Sequence, residues 1–198
     1  MTGPRVRRLW SLLLGSVLAA TMVVRPLQAE EIYVPDDFGT IQLAIDVSSA
    51  GDVILVRPGT YIETIDFKGK AITVRSVEGP EVTIIDRAGG DDTVAIFRNF
   101  EGRDSILDGF ELREGTGNCD LFFCYGGGIF CVDASPTIRN CIVRDNATTF
   151  DGGGMYVRRG APLLENCRFE GNVAKWYQGG AIYRSEEHTS ELQSHSDL

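Results

Sequence analysis

Gly126-Gly127-Gly128-Ile129-Phe130 opens a pattern that the chain repeats. It continues with Ser135-Pro136-Thr137-Ile138-Arg139-Asn140-Cys141 and Asp145-Asn146-Ala147. A second copy has Gly152-Gly153-Gly154-Met155-Tyr156, Ala161-Pro162-Leu163-Leu164-Glu165-Asn166-Cys167 and Gly171-Asn172, and a third begins at Gly179-Gly180-Ala181-Ile182-Tyr183. A spacing of 26 residues separates Gly127, Gly153 and Gly179, Pro136 and Pro162, Cys141 and Cys167, and Asn146 and Asn172. Such a period indicates one supersecondary unit per copy, stacked on its neighbours.

Apolar side chains alternate with a period of two within each copy, which is typical of β-strands and not of helices. Ile129 and Met155 are predicted to point inward, and Phe130 and Tyr156 outward. Later in each copy, inward positions are predicted for Ile138, Leu164, Cys141, Cys167, Val143 and Phe169. Three short strands per copy therefore predict coils that pair in parallel with the next coil, about 4.8 Å away.

Asparagine marks the corner between two of these strands, at Asn140 and at Asn166. A two-residue corner needs a left-handed backbone, which asparagine tolerates better than most residues. The earlier stretch 106–112 follows the same order, with Gly109 in the place of the asparagine. We therefore predict positive φ at both asparagines and stacking of their side chains.

The N-terminal half keeps the alternation in shorter and less regular turns. Strands are predicted at 53–56, 71–74, 82–85 and 93–97, with glycine and proline between them. Before them, residues 40–48 predict one short helix with Thr40 as its N-cap and one apolar face, formed by Ile41, Ala44 and Ile45. Such a helix would cover the first coil, whose open strand edge would otherwise promote aggregation.

The N-terminal segment, residues 1–29, is predicted to be a secretory signal peptide that is cleaved near Ala29. Arg5, Arg7 and Arg8 precede an uncharged apolar stretch, residues 9–24. A membrane anchor is the alternative, but this stretch is shorter than the roughly 20 residues of a spanning helix. No later segment is apolar enough to span a bilayer, so the mature chain is expected to be secreted or held at the cell surface.

The C-terminal segment, residues 184–198, reads codon by codon as an in-frame translation of a common short-read sequencing adapter. The alternative is a polar, disordered tail. The repeat domain is therefore assigned to residues 30–183, is expected to be incomplete, and is not expected to continue pairing after Tyr183. The histidines of the chain, His188 and His195, both lie in the excluded segment.

The acidic net charge of the chain argues against partners that are themselves anionic. The chain has a formal net charge of −9, and the acidic excess remains when both terminal segments are removed. Nucleic acids and anionic membrane surfaces are repelled by such a chain. We predict no nucleic-acid partner; the oligomeric state is not indicated.

Two parts of the sequence resemble a known family. Residues 38–46 (FGTIQLAID) and 51–63 (GDVILVRPGTYIE) look like the opening of pectin-lyase-like right-handed parallel β-helix proteins. The later GGGIF and GGGMY copies are similar to repeats of exported bacterial β-helix proteins and polymorphic outer-membrane proteins. The resemblance covers nearly all of residues 32–183. It implies an all-β, single-stranded right-handed parallel β-helix (a solenoid) of about six coils with a short N-terminal capping helix, truncated at its C-terminus, but little about activity.

No catalytic pattern of these proteins is complete. Asp91-Asp92 echoes a polygalacturonase-type block, but the Gly-His-Gly block that should follow is missing. Asp108 with Arg139 resembles part of a pectin methylesterase site, and Asp145 with Asp151 flanks an outer loop where paired carboxylates would suit glycoside hydrolysis. Structural or solvated roles are favoured for all of them. Clustered aspartates for calcium are missing, as are Cys-x-x-Cys pairs for zinc, so we predict no catalytic, cofactor-binding or metal residues.

Five cysteines permit disulfides in an exported chain. Cys119 and Cys124 lie in an insertion that lengthens its coil to about 31 residues, and a bridge between them would close that loop. Cys141 and Cys167 are interpreted as small core residues. Parallel stacked side chains are poorly aimed for a disulfide, which argues against a bridge between these two.

Four aromatic residues are assigned to one outward position on successive coils: Phe97, Phe130, Tyr156 and Tyr183. Such a ladder would be a platform for sugars on the face that carries the cleft of β-helix enzymes, if it is exposed and flanked by polar groups such as Arg158 or Asp133. The alternative is a self-stacking ladder covered by loops.

The function that fits these residues best is an exported β-helix that binds carbohydrate or serves as a cell-surface structural protein. Extracellular polysaccharide is the predicted partner. Two alternatives stay open: a polysaccharide lyase or glycoside hydrolase whose catalytic coils lie beyond Tyr183, and an autotransported surface passenger or adhesin.

Overall fold

The computed structural model describes residues 29–120 and 123–185. Their regular structure is β-strand apart from one helix, α1 (Ile41–Val47). The predicted signal peptide lies outside the described residues except for Ala29, and so does the predicted tail from residue 186 onward.

Three parallel sheets, named A, B and C here, contain most of the strands. Sheet A consists, in spatial order, of β1 (Glu31–Val34), β2 (Val53–Val56), β5 (Thr73–Ser76), β8 (Ile106–Asp108), β13 (Thr137–Arg139) and β17 (Leu163–Glu165). Sheet B consists of β3 (Gly59–Ile62), β6 (Thr83–Asp86), β9 (Glu111–Arg113), β14 (Ile142–Arg144) and β18 (Arg168–Glu170). Sheet C consists of β4 (Ile65–Asp66), β7 (Ala95–Phe97), β12 (Ile129–Val132), β16 (Met155–Arg158) and β20 (Ile182–Ser185). Two small pairs complete the set: the antiparallel hairpin β10 (Asn118–Asp120) and β11 (Phe123–Tyr125), and the parallel pair β15 (Ala147–Thr148) and β19 (Val173–Ala174).

The chain visits the three sheets in the same order five times. From β2 onward it places one strand in sheet A, one in sheet B and one in sheet C, and then begins again. We call each such set of three strands a coil, and each strand pairs in parallel with its counterpart in the next coil. These stacked parallel sheets are consistent with a β-helix. The described residues contain five complete coils, and β1 adds one strand to sheet A, where the sequence predicts about six coils.

The register between coils confirms the predicted inward positions. Ile129 pairs with Met155, and Met155 pairs with Ile182. Ile129 and Met155 are fully buried, whereas Ile182 is 40% exposed. Ile182 belongs to the fifth coil, and no further coil covers that side among residues 29–120 and 123–185.

The second copy of the repeat is one residue longer than the first. The Gly127 N–H bonds to the carbonyl of Gly152, and the Gly153 N–H bonds to the carbonyl of Gly179. Gly179 is therefore the counterpart of Gly152, 27 residues earlier, and the predicted equivalence of Gly153 with Gly179 is wrong by one residue.

Strand β20 continues past Tyr183. Arg184 pairs with Val157, and Ser185 pairs with Arg158. The prediction that strand pairing ends at Tyr183 is therefore wrong for the first two residues of the predicted tail.

Helix α1 covers the first coil as predicted. Ile41, Ala44 and Ile45 are buried, and the Thr40 hydroxyl accepts a hydrogen bond from the N–H of Leu43. The sequence pattern does not reveal the second cap. The Glu63 carboxylate accepts hydrogen bonds from two backbone N–H groups of the first turn, those of Ile41 and Gln42, which a helix leaves without partners of its own.

The corner prediction is confirmed at both asparagines. Asn140 has φ 52° and Asn166 has φ 51°, and Gly109 takes the same place with φ 83°. The Asn166 Nδ2 donates to Oδ1 of Asn140 (2.9 Å), and the Asn140 Nδ2 donates to Oδ1 of Asp108 (2.8 Å). The corner column is therefore a chain of hydrogen bonds across three coils.

Glycine is required where neighbouring coils approach each other most closely. A Cβ atom at Gly128 would lie 2.6 Å from the carbonyl oxygen of Gly154, and one at Gly154 would lie 2.5 Å from that of Ala181. No side chain fits such a gap, so the glycine triplets set the distance between coils.

A second asparagine column lies inside the molecule. The fully buried Asn146 accepts the Gly115 N–H through Oδ1 and donates to the carbonyl of Leu112 and to Oδ1 of Asn172. Asn172 donates in turn to the carbonyl of Val143. These amides satisfy backbone groups that the turn into the glycine triplet would otherwise leave unpaired in the core.

Candidate functional site

Three aromatic rings form a ladder on the outer face of sheet C. Phe130, Tyr156 and Tyr183 are paired in register on β12, β16 and β20. The first two ring centroids lie 5.8 Å apart and the next two 5.5 Å apart, with interplanar angles of 11° and 6°. The rings therefore stack on one another and turn their faces to their neighbours.

Phe97 does not belong to this ladder, and its predicted position is wrong. It pairs with Cys131, an inward residue, and is fully buried with its ring 4.5 Å from that of Phe67. Ile96 takes the outward place beside Phe130. The alternation of apolar residues does not predict which of the two points inward, because both Ile96 and Phe97 are large and apolar.

The hairpin β10–β11 covers the middle of the ladder. Its two strands are joined by a disulfide between their middle residues, Cys119 and Cys124, whose Cα atoms are 4.0 Å apart. The Tyr125 ring packs 4.8 Å from the Tyr156 ring. Tyr156 is consequently only 7% exposed, and burial raises the pKa of its hydroxyl. The expectation of a solvent-exposed platform is not met at Tyr156.

Exposed aromatic rings lie beside the ladder, in loops that the alternation does not describe. Phe123, Trp176 and Tyr177 are 45%, 68% and 60% exposed. Phe150 lies between two of them, 4.3 Å from the Phe123 ring and 4.2 Å from the Tyr177 ring. We call these four residues the aromatic loop surface. It continues into the ladder through Tyr125, whose ring is 5.6 Å from that of Phe150.

Polar groups border this surface. Arg158 follows Tyr156 by two residues in β16 and so shares its face of the sheet, and its buried Nε has no hydrogen-bond partner. Asp133 is engaged by Arg159, whose hydrogen bonds and charge lower the pKa of the carboxyl group. Of the two polar residues expected beside the ladder, Asp133 is thus held in an ion pair, and the unbonded Nε of Arg158 is closed to solvent.

Asp108 and Arg139, the echo of an esterase site, do meet. Asp108 is 7% exposed and accepts hydrogen bonds from Arg75 (2.9 Å) and Asn140 (2.8 Å), and its Oδ2 lies 3.0 Å from a guanidinium nitrogen of Arg139. Burial alone would raise the pKa of this carboxyl group, but the hydrogen bonds from Asn140, Arg139 and Arg75 outweigh it and hold the pKa below its usual range. A carboxylate so fully bonded is a poor general base or nucleophile.

The other candidate acids also make structural contacts. Asp145 forms an ion pair with Arg144, and the Asp151 carboxylate accepts the N–H of Gln178. Asp92 accepts the N–H of Thr93.

The described residues contain no group of three or more histidine, cysteine, aspartate or glutamate side chains arranged to hold a metal ion. In the same part of the chain, no helix has the length and apolar character needed to cross a membrane.

Cys141 and Cys167 occupy equivalent places, each directly after a corner asparagine. Cys141 is buried and Cys167 is half-buried, as predicted for core positions in the fourth and fifth coils.

Comparison of the chain with known protein families, with curated proteins and with solved structures gives no match.

Proposed function

We propose that this chain is an exported right-handed parallel β-helix of the pectin-lyase-like type, and that it binds extracellular polysaccharide without chemical turnover. The N-terminal segment typical of a signal peptide supports export. The opening motif at residues 38–63, the glycine-rich copies and the stacked parallel sheets support the fold type.

The aromatic loop surface carries the proposal. Sugar rings have apolar C–H faces and a polar rim, so they pack against exposed aromatic rings while their hydroxyls bond to nearby polar groups. Trp176 and Tyr177, which are consecutive in the chain, both offer exposed rings, and Arg158 lies on the same face of sheet C as the ladder. A row of loops along a stack of coils suits a long, repetitive ligand better than a small molecule.

We propose binding without turnover because of the contacts that the candidate catalytic carboxylates make. Asp108 is held ionised by its partners, and Asp145 and Asp151 make structural contacts. Asp108 therefore lacks the raised pKa that a general acid needs at neutral pH.

Affinity electrophoresis against a panel of neutral and acidic polysaccharides tests the proposal. Trp176→Ala and Tyr177→Ala should each weaken binding to the retained polysaccharide by about tenfold, and the double variant should abolish it. Phe100→Ala is the matched control, because Phe100 is 83% exposed and lies outside the aromatic loop surface. Circular dichroism should show all variants folded.

Two results would contradict the proposal. One is that no polysaccharide retards the wild-type chain. The other is that Phe100→Ala weakens binding as much as Trp176→Ala does. Either result would leave the aromatic residues with a packing role alone.

A further inference from the structure

The placement of Cys141 and Cys167 differs from that of residues inside paired strands. Each lies between two strands, β13 and β14 or β17 and β18, directly after a left-handed asparagine. The Arg168 N–H donates to the Cys141 carbonyl, so the two corners lie one coil apart. That spacing is about 4.8 Å, within the roughly 4.4–6.8 Å between Cα atoms that a disulfide spans. The asparagines before the two cysteines have nearly the same φ, so the cysteine side chains stack in parallel, and a bridge needs one of them to rotate toward the other.

The two thiols are neighbours, one coil apart. Each also lies within hydrogen-bond distance of a backbone carbonyl: the Cys141 sulfur is 3.1 Å from the Arg139 oxygen, and the Cys167 sulfur is 3.4 Å from the Ile138 oxygen. Hydrogen bonding with the Cys141 side chain lowers the pKa of Cys167 to about 7, whereas burial raises the pKa of Cys141 well above its usual value. Near neutral pH, Cys167 is therefore partly a thiolate beside the Cys141 thiol.

Solvent reaches the two cysteines to different extents. Cys141 is 1% exposed, whereas Cys167 is half-buried. An external reagent therefore reaches Cys167 first. Cys141 needs no access to solvent, because its target would be the sulfur beside it.

We propose that Cys141 and Cys167 are a redox pair, which a small external disulfide such as oxidised glutathione converts into a disulfide between the fourth and fifth coils. In the first step, the Cys167 thiolate attacks one sulfur of the reagent, forms a mixed disulfide and releases one glutathione thiolate. In the second step, the Cys141 sulfur attacks the Cys167 sulfur and expels the second glutathione, which takes the Cys141 proton. The protein loses two electrons, and the reagent is reduced to two thiols.

The division of roles matches the chemistry of cysteines that respond to oxidants. A thiolate of low pKa that solvent can reach reacts first, and a neighbouring cysteine resolves the adduct. Cys131 is the contrasting case within the same chain. It is fully buried, and burial raises the pKa of its thiol to about 12.

The experiment treats the full chain with oxidised glutathione, alkylates the remaining thiols and maps the products by proteolysis and mass spectrometry. The wild type should yield a linked Cys141–Cys167 peptide. Cys141→Ser should instead retain glutathione on Cys167, and Cys167→Ser should leave Cys141 unmodified. Cys131→Ser is the matched control and should yield the same linked peptide as the wild type. Cys141→Ala serves the same purpose as Cys141→Ser if the serine variant does not fold.

Three outcomes would overturn the proposal. In the first, the wild type carries glutathione on Cys167 without linking to Cys141. In the second, Cys141 reacts at the same rate when Cys167 is serine. In the third, neither cysteine reacts. The first would show that the two sulfurs cannot reach bonding distance, and the second that Cys141 reacts with the reagent directly. The third would show that solvent does not reach the pair.

Discussion

The Asn140 side chain is engaged at both ends while its backbone is left-handed. Its Oδ1 accepts a hydrogen bond from Asn166, and its Nδ2 donates one to Asp108. Its φ of 52° is a conformation that branched residues adopt only at considerable cost. Residue 140 must therefore meet two separate demands: it must adopt a left-handed backbone, and its side chain must form two hydrogen bonds.

Substitutions at Asn140 separate these demands. Asn140→Gly keeps the backbone conformation and loses only the side-chain bonds, so we expect a loss of about 1 kcal/mol in the free energy of unfolding. Asn140→Val loses both and should cost about 1–3 kcal/mol more. Urea denaturation measures the difference, and equal stabilities would show that the corner imposes no backbone demand.

The reactivity of Cys167 should depend on pH near neutrality. The hydrogen bond from Cys141 lowers the pKa of Cys167 to about 7, while the neighbouring Glu165 carboxylate acts in the opposite direction. Arg168, the next residue, is paired with Glu81 and Glu170. Since only the thiolate is alkylated, the rate of reaction with iodoacetamide should rise through about pH 7 and then level off.

Cys141→Ala is the test of that cause, because serine would keep a hydrogen-bond donor. Removal of the donor should move the midpoint of the alkylation profile to higher pH. An unchanged midpoint would mean that the Cys141 thiol does not set the pKa of Cys167.

Single residues could be predicted from the sequence where their chemistry is local. Asparagine at a corner predicts a left-handed backbone from its own covalent structure, and this held at Asn140 and Asn166. Phe97 was misplaced because its direction depends on the register between β7 and β12. The aromatic loop surface was missed because loop residues follow no alternation.

At the scale of the element, helix α1 depends on a residue from the first coil. Glu63 accepts the N–H groups of Ile41 and Gln42, while Thr40 accepts that of Leu43. A helix of only seven residues has little stability of its own. Its position over the first coil therefore rests on its buried face and on these bonds.

Glu63→Ala should lower the free energy of unfolding by about 1–2 kcal/mol, because two N–H groups lose a charged acceptor. Glu78→Ala is the matched control, since Glu78 is exposed and its side chain forms no recorded bond. Thermal denaturation of the two variants provides the comparison. A loss as large for Glu78→Ala as for Glu63→Ala would refute the capping role of Glu63.

Elements could be predicted where periodicity is strong. The predicted helix and the strand at Val53–Val56 agree with the structure. The short strand β4 (Ile65–Asp66) was missed, because two residues contain no measurable alternation. The 27-residue step to Gly179 was also missed, because the extra residue lies in a loop and leaves the glycine pattern almost unchanged.

At the scale of the whole molecule, each strand pairs only with strands of the coils beside it, although the ion pair between Arg168 and Glu81 joins the fifth coil to a loop of the second. Such stacks lose stability from their less covered end, since nearest-neighbour contacts supply most of the stability of each unit. The fifth coil exposes three large aliphatic side chains, Leu163, Val173 and Ile182, besides the rings of Trp176 and Tyr177. Their counterparts deeper in the stack include Ile129 and Met155, which are fully buried.

Hydrogen exchange should therefore reveal a gradient along the stack. Amide groups of β18 and β20 should exchange at least about tenfold faster than those of β9 and β12. Exchange measured by mass spectrometry on proteolytic fragments resolves the strands. Uniform protection would indicate that the stack opens as one cooperative unit.

The overall architecture followed from the sequence because the repeat imposes it: the inward apolar column recurs in every copy, after a glycine triplet in the first two copies and after Gly-Gly-Ala in the third. The contacts between side chains at the surface could not be predicted from the repeat. Contacts such as Tyr125 on Tyr156 join a loop of one coil to a strand of another, and no period in the sequence encodes them.

The hairpin β10–β11 adds length without disturbing the stack. It leaves the third coil after β9 and returns before Ile129, which still pairs with Ala95 on one side and Met155 on the other. An insertion of one residue within a strand would instead turn every following side chain of that strand to the opposite face. The segment between Cys119 and Cys124 is thus a grafting point: a foreign peptide inserted there would be displayed outside the stack, anchored by a disulfide at its base.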